Sequence, residues 1–502
     1  MRLFVDVTPI LRDAFGRTVL VSMMGMGEAR SSVVLSRLAA DPRLALTERS
    51  RARTLRRIVG GIARAGILRN ALRVLRSPHA TRARFEREMN AIAAIHLPPG
   101  ADARARLDAF ERLLLVAPLQ ILPRLLGIMA PAMLTLGLAT RLLRGIARPD
   151  ELQILMRGAP NNPTTEMDLA LWSLSAHLRA DAGARAVLLE SSPADLAERY
   201  RAKSLPATLQ NGLAEFLARY GFRAIGEIDI GVPRWSEDPT HILGALANYA
   251  RLGNDVLAPD AQFAKGERDA ESMLRTLLAR VHGPRRLLLA IVLRRMRSTI
   301  GTREAPKFHI IRLLATPAHQ LLKPVGAELA ARGSLADPDD IFFLTLPEAR
   351  GALAGDDLRP IVSERRQVFA RERMRRRIPR VLLSDGTDAE AALVPDQAGG
   401  LHGSPASPGV VTGIARVILS PQGARLEPGE ILVAPSTDPG WTPLFLTAGG
   451  LVMEMGGMMS HGAVVAREYG IPAVVGVAGA TDQISSGQNV TVDGSAGTVV
   501  LN

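Results

Sequence analysis

The chain changes texture once, at Ser384, and that change limits what it can fold into. From about residue 28 to residue 383, apolar residues recur three and four positions apart, broken by proline and glycine. This is the pattern of amphipathic helices. Clear examples run from Leu107 to Leu115, Thr208 to Tyr220, Ala270 to Val281 and Arg285 to Arg297. One piece interrupts it: GEIDIG, within Arg223 to Trp235, alternates polar and apolar like a short strand or an extended loop. The segment 384–400, SDGTDAEAALVPDQAGG, has little periodicity and reads as a linker. Beyond it, short β-branched runs alternate with glycine turns at 409–419, 430–436, 451–455 and 472–477. A final pair at 489–501 carries the Asp493-Gly494 turn of a hairpin. The expected architecture is multidomain α+β. A large, mostly α-helical domain spans 1–383, 384–400 is the linker, and a small α/β domain spans 401–502.

Composition narrows the chemistry. The 502 residues include no cysteine, which excludes disulfides, thiolate metal sites and cysteine nucleophiles. The eight histidines other than His461 show no metal-ligand spacing, so no metal site is expected on this chain. The net charge is +13, almost all of it arginine, and the arginines concentrate between Arg49 and Arg87. A basic helix can face nucleic acid or an anionic membrane. No aromatic residues interleave with this run, which argues against base stacking, and a solvated helix face is the simpler reading. The N-terminus lacks a secretory pattern. The most membrane-like stretch, Leu125 to Thr140, is shorter than the ~20 residues a bilayer span needs and contains Pro131, so a buried helix pair is expected there. These features favour a cytoplasmic protein without nucleic-acid or membrane partners.

The most informative stretch is GGMMSHGAVVAREYGIPAVVGV, Gly456 to Val477. A strand, LVMEM, leads into Gly456 and Gly457, where backbone can turn or approach a ligand closely. Ser460 offers an N-cap hydroxyl, and a helix opens at His461 and Gly462. It stops at Gly470-Ile471-Pro472. This puts an imidazole where unpaired N–H groups and the positive end of the helix dipole favour a phosphate. A neutral imidazole nitrogen is a competent nucleophile near pH 7. Spacing alone leaves two readings open, a phosphoryl carrier or an ordinary residue at a helix start.

The pattern GG-x-x-SHGA-x-VARE-x-GIPAVVG resembles the mobile-domain signature of the phosphoenolpyruvate-utilising enzymes. That resemblance implies a swivelling domain in which His461 is phosphorylated, supported by Ser460, Gly462, Gly456 and Gly457. Upstream, APNNPTTEMDLALW (159–172), YGFRAIGEIDIGVPRWSEDP (220–239), RSTIGTREAPKFHIIRLLA (297–315) and DDIFFLTLPEAR (339–350) resemble the rifampicin phosphotransferase branch. The order of parts, helical domain and then mobile domain, is also that branch's order. In such enzymes an ATP-grasp domain passes the β-phosphoryl group of ATP to the histidine, and the mobile domain carries it to a substrate hydroxyl.

For the second step the resemblance implies Arg303 and Lys307 as phosphate contacts, against the alternative of surface ion pairs with Glu304. Pro306 places the start of their helix close to Arg303. Glu227, Asp229 and Arg234, with Glu237, are substrate-binding candidates or equally structural partners of arginines, and Asn161, Asn162 and Glu166 read as helix caps. No ATP-grasp or Walker pattern occurs in these residues. ATP and Mg²⁺ are therefore expected to enter through a separate ATP-grasp subunit. A truncated relic or a different phosphoryl donor are the alternatives. The leading expectation is a phosphotransferase component acting on a hydroxyl of a bulky, rifamycin-like small molecule. The rivals are a catalytically incomplete binding or sequestering protein and a basic membrane-surface protein built on 49–87.

Overall fold

A computed structural model describes residues 5–27, 29–48, 50–64, 67–94, 97–98, 100–251, 258–375, 379, 381–390 and 401–502. Part of the expected linker, 391–400, lies outside the described residues, as do Arg49, Ala65 and Gly66 in the arginine-rich run.

The helical part is organised around one 41-residue helix, Ala103–Leu143, capped at its start by the Asp102 side chain. It packs against Ile67–Arg76, Gly283–Ile300 and Ala305–Ala331. The expectation of a helix pair broken at Pro131 is overturned, because Pro118, Pro123 and Pro131 all lie inside this helix. A proline costs a helix one hydrogen bond and some strain, but here the flanking apolar face is locked. Leu136, Ala139 and Leu143 are buried against Leu289, Val292, Leu293 and Met296. Its segment Gln120–Leu143 has mean hydropathy 1.7 and passes the length and composition test for a membrane span, with 44% of the apolar window buried inside the protein. A second group of helices, from Pro163–Ala180 to Thr240–Arg251, packs around Leu178, Leu196, Leu213 and Leu246. The GEIDIG segment forms turns and contributes no strand.

The C-terminal part is an eight-stranded sheet in the order β1-β8-β7-β3-β4-β5-β6-β2. The strands are β1 (Leu401–His402), β2 (Ser404–Ser407), β3 (Val410–Val417), β4 (Ile431–Ala434), β5 (Gly450–Met453), β6 (Ala473–Val475), β7 (Asn489–Asp493) and β8 (Thr498–Leu501). Strands β3 to β6 run parallel, and the outer pairs are antiparallel. Parallel strands are covered on both faces, and the alternation in β4 shows how. Ile431 and Val433 enter the sheet's own core with Val452 and Val474. Leu432 and Ala434 face the other way and join a core that continues through Phe445, Ala463 and Ala466 into the helical part at Trp172 and Leu213. The sheet is therefore docked on the helices, and the docked pose brings the site residues together.

Candidate active site

His461 is the first residue of the helix His461–Tyr469, which ends on Gly470 at φ +70°. The Ser460 carbonyl accepts the first helical hydrogen bond, from Val464, at 3.0 Å. The amides of residues 461–463 therefore have no partner within the helix. Ser460 holds the N-cap backbone position, but its hydroxyl does not cap. It donates to the Gly457 carbonyl at 2.8 Å and so closes the 457–460 turn, which corrects the expected capping role. Gly456, at φ +119°, allows that turn, since a Cβ there would stand 2.7 Å from the Ser460 hydroxyl oxygen. At Gly462 a Cβ would stand 2.6 Å from both the Met453 sulfur and the Thr437 hydroxyl, so glycine lets the helix sit directly on β5. Gly457 is buried and lends its carbonyl to the turn.

The imidazole is clamped on one side and free on the other. The Asp438 carbonyl accepts a hydrogen bond from the ring, while Nε2 is buried and without a partner. The bonded nitrogen is therefore Nδ1, which fixes the neutral tautomer with its lone pair on Nε2. Burial, followed by the nearby charges of Lys307 and Arg223, holds the imidazole pKa well below its usual value. The Phe445 ring stands edge-on to it, centroids 6.3 Å apart.

The helical part supplies the facing wall. A short 3-10 turn, Gly301–Glu304, leads into Ala305–Ala331 with Pro306 in its first turn, as the sequence predicts. Arg303 lies against the sulfur of Met459 and sits 3.5 Å from the Glu304 carboxylate. Lys307 Nζ is 3.2 Å from Glu227 Oε1. On the other side of that carboxylate, Arg223 donates from Nε to Oε2 at 2.5 Å and from Nη2 to Oε1 at 3.1 Å. Burial pushes the Glu227 pKa up, but Arg223 and Lys307 outweigh it, so the carboxylate is held below its usual range. An acid so paired is a poor proton acceptor and a good anchor for two cations. Thus Lys307, held by Glu227, stands near His461, while Arg303 lies against Met459 in the turn before it.

Two other candidates are not so placed. The Asp229 carboxylate is spent on the Gly231 amide at 2.9 Å in an exposed turn. Arg234 donates to the Glu227 and Asp229 carbonyls at 3.0 and 2.6 Å and so pins that loop from within. Both shape the 226–231 loop: Arg234 is buried in its own contacts, and Asp229 faces solvent with one carboxylate oxygen engaged.

Other residues matter whose roles the motifs alone do not give. Asp438 Oδ2 accepts from the Gly226 amide at 2.8 Å, joining the two parts beside His461. His241 Nε2 meets the Gly440 carbonyl at 2.7 Å, and burial lowers its pKa to about 4. Glu468, two helical turns after His461, accepts from Asn162 Nδ2 at 2.9 Å and from the Thr165 hydroxyl. Asn162 also caps its own helix through the Thr164 amide, as expected. Arg223 is 1% exposed and keeps Nη1 without a partner. Its spacing of four from Glu227 is the one signal that could have flagged it.

A sheet domain presenting an unpaired imidazole nitrogen to a cationic wall has the arrangement a phosphoryl carrier would need. Residues 426–497 match the mobile-domain model of the PEP-utilising enzymes, and residues 124–304 match that of the rifampicin phosphotransferase fourth domain. The chain belongs to the PEP-utilising enzymes, in their rifampicin phosphotransferase branch. It is 36% identical over 385 residues to a rifampicin phosphotransferase of Streptomyces sviceus, covering 75% of this chain and 44% of that one. A second, from a Streptomyces species, is 32% identical across the whole chain, which spans 58% of its length. A probable phosphoenolpyruvate synthase of Staphylothermus marinus is 50% identical over 102 residues, 20% of this chain and 12% of the relative. The chain spans about half the length of the rifampicin phosphotransferases it matches.

Proposed function

We propose that this chain carries out the second half of a phosphotransferase reaction. His461 holds a phosphoryl group on Nε2 and delivers it, in the docked pose, to a substrate hydroxyl. The observation that carries this is the buried, unpaired Nε2 facing Lys307 and Arg223. Ring geometry gives the chemistry. With the proton kept on Nδ1 by Asp438, phosphorylation at Nε2 makes the ring cationic. When the P–N bond breaks, its electron pair returns to Nε2 and the ring leaves neutral. The new P–O bond forms to the hydroxyl oxygen, whose proton is released to solvent. Lys307 and Arg303 neutralise phosphoryl oxygens as charge spreads over them.

The donor in this reading is ATP with Mg²⁺, presented by an ATP-grasp partner outside these residues. Among the described residues no group of three or more acidic or histidine side chains could hold a metal. The acceptor is a hydroxyl of a bulky, rifamycin-like molecule. The names of the relatives support that substrate class. The same reading places the protein in the cytoplasm, where ATP is available. The test is incubation with ATP labelled at the β-phosphate and an ATP-grasp partner. Acid-labile label should appear on His461 and be lost in His461→Ala. Label that persists in the variant would refute the assignment.

A further inference from the structure

We propose that Arg223 is a catalytic residue of this site, using its free Nη1 to hold the oxygens of the phosphoryl group on His461. The inference rests on the phosphohistidine reading and adds a residue to it. The buried polar atoms without partners include His461 Nε2, Arg223 Nη1 and Asp168 Oδ2. A buried, unsatisfied guanidinium nitrogen is expensive, and such groups in folded proteins call for a specific explanation. Arg223 has spent two of its nitrogens on Glu227, and the third remains. Its charge acts on both His461 and Asp168. The Phe308 ring lies 5.4 Å from the guanidinium centre, in the helix turn that carries Lys307.

A phosphoryl group on Nε2 would supply what this arrangement lacks. It places acceptor oxygens between a guanidinium that has a free donor and an ammonium already beside Glu227. Glu227 is then a positioning residue, since one carboxylate sets the spacing of both cations. In the transfer step the P–N bond breaks toward Nε2 and the P–O bond forms to the substrate hydroxyl. Throughout, Arg223 keeps the same oxygens, so it stabilises the charge that spreads over them at no cost in reorganisation. Arginine suits this role because its planar fork can bind a carboxylate with two nitrogens and still present a third.

The test uses the full chain and phosphoramidate, a small donor that phosphorylates imidazoles without a partner enzyme. The site of labelling is read by mass spectrometry and the environment of the group by ³¹P NMR. In the wild type, label should sit on His461, with a ³¹P resonance displaced from that of the urea-unfolded chain. Arg223→Lys should remove more than half of that displacement, and the remote Arg285→Lys should leave it unchanged. Should Arg223→Lys fail to fold, the pair Arg223→Gln with Glu227→Gln, which removes both buried charges together, carries the test. A displacement unchanged in folded Arg223 variants would overturn the role of Arg223 and leave the carrier intact. A wild type that takes no label on His461 would overturn the carrier itself.

Discussion

Replacing Glu468 by glutamine should change how the docked protein responds to pH. The Glu468 carboxyl is fully enclosed between the two parts, and its pKa is raised to about 7, chiefly by burial. The Thr165 and Asn162 hydrogen bonds and the Arg303 charge pull it down, while Glu304 pushes it up. Asp168, buried opposite it, feels the Glu468 charge and is itself raised well above its usual value by burial. The sign follows from proton counting. The docked, folded state keeps a proton on Glu468 at pH values where the unfolded chain, near 4.5, has lost it. Stability therefore falls as pH rises from the unfolded pKa through the folded one, and stays lowered above it.

Glutamine keeps the shape and both hydrogen-bonding partners and cannot ionise. The stability advantage of Glu468→Gln over wild type should grow by about 2 kcal/mol between pH 5.5 and pH 8. Relief of Asp168 adds in the same direction. Urea unfolding followed by fluorescence of the buried Trp441 measures it. Parallel pH profiles for the two proteins would refute the claim that Glu468 is protonated at the docked interface.

Other expectations follow from the same contacts. Asn162→Asp places a second carboxylate against Glu468, so docking should weaken most above pH 7, seen as faster proteolysis at the interface. Gly462→Ala forces a methyl into the Met453 sulfur and Thr437 hydroxyl and should cost about 1–3 kcal/mol in thermal unfolding. Gly137→Ala, where a Cβ meets nothing within 4 Å on an exposed helix face, should instead gain up to about 1 kcal/mol. Lys307→Ala should leave chemical phosphorylation of His461 in place and slow onward transfer roughly 10²-fold, read by chase of labelled His461 into product.

Much of the fold was legible because its signals are local. The helix His461–Tyr469 ends at a left-handed glycine followed by Ile471 and Pro472, and β4 to β8 are runs of β-branched residues between turns. Strands β1 and β2 were not legible. Leu401–His402 and Ser404–Ser407 carry no strand pattern of their own and exist by pairing with β8 and β6. The 41-residue helix was hidden by its prolines, since tertiary packing overrides a local penalty that sequence reading must take at face value. At the site, the imidazole was marked by its motif and the cations by resemblance. Arg223 and Glu468 stand inside those same motifs, but their roles, like that of Asp438, were not legible, because what distinguishes the three is an unpaired atom, a partner hundreds of residues away and a backbone carbonyl. Asp229 and Arg234 looked functional because charge is visible in sequence, whereas the loop carbonyl that Arg234 binds is not.

A carrier must dock firmly enough to react and loosely enough to leave, and the buried polar atoms of the interface bear on that balance. Apolar contact from Trp441, Leu444, Phe445 and Tyr469 favours docking. Against it stand unpaired atoms of Asp168, Arg223, His461, Arg467 and Tyr469. Each costs about 1–3 kcal/mol while unsatisfied. Repulsion adds to this, since burial and then the neighbouring Arg303 charge lower the Arg467 pKa to about 9. A phosphoryl group on Nε2 would satisfy Arg223 and offset the positive charge of the wall, so the loaded domain should dock more tightly than the empty one. Delivery then weakens the interface it depended on. Small-angle scattering of the chain before and after phosphoramidate loading reads this directly, as a more compact loaded form. Equal dimensions, or expansion on loading, would mean that the cations opposite His461 do not serve the phosphoryl group.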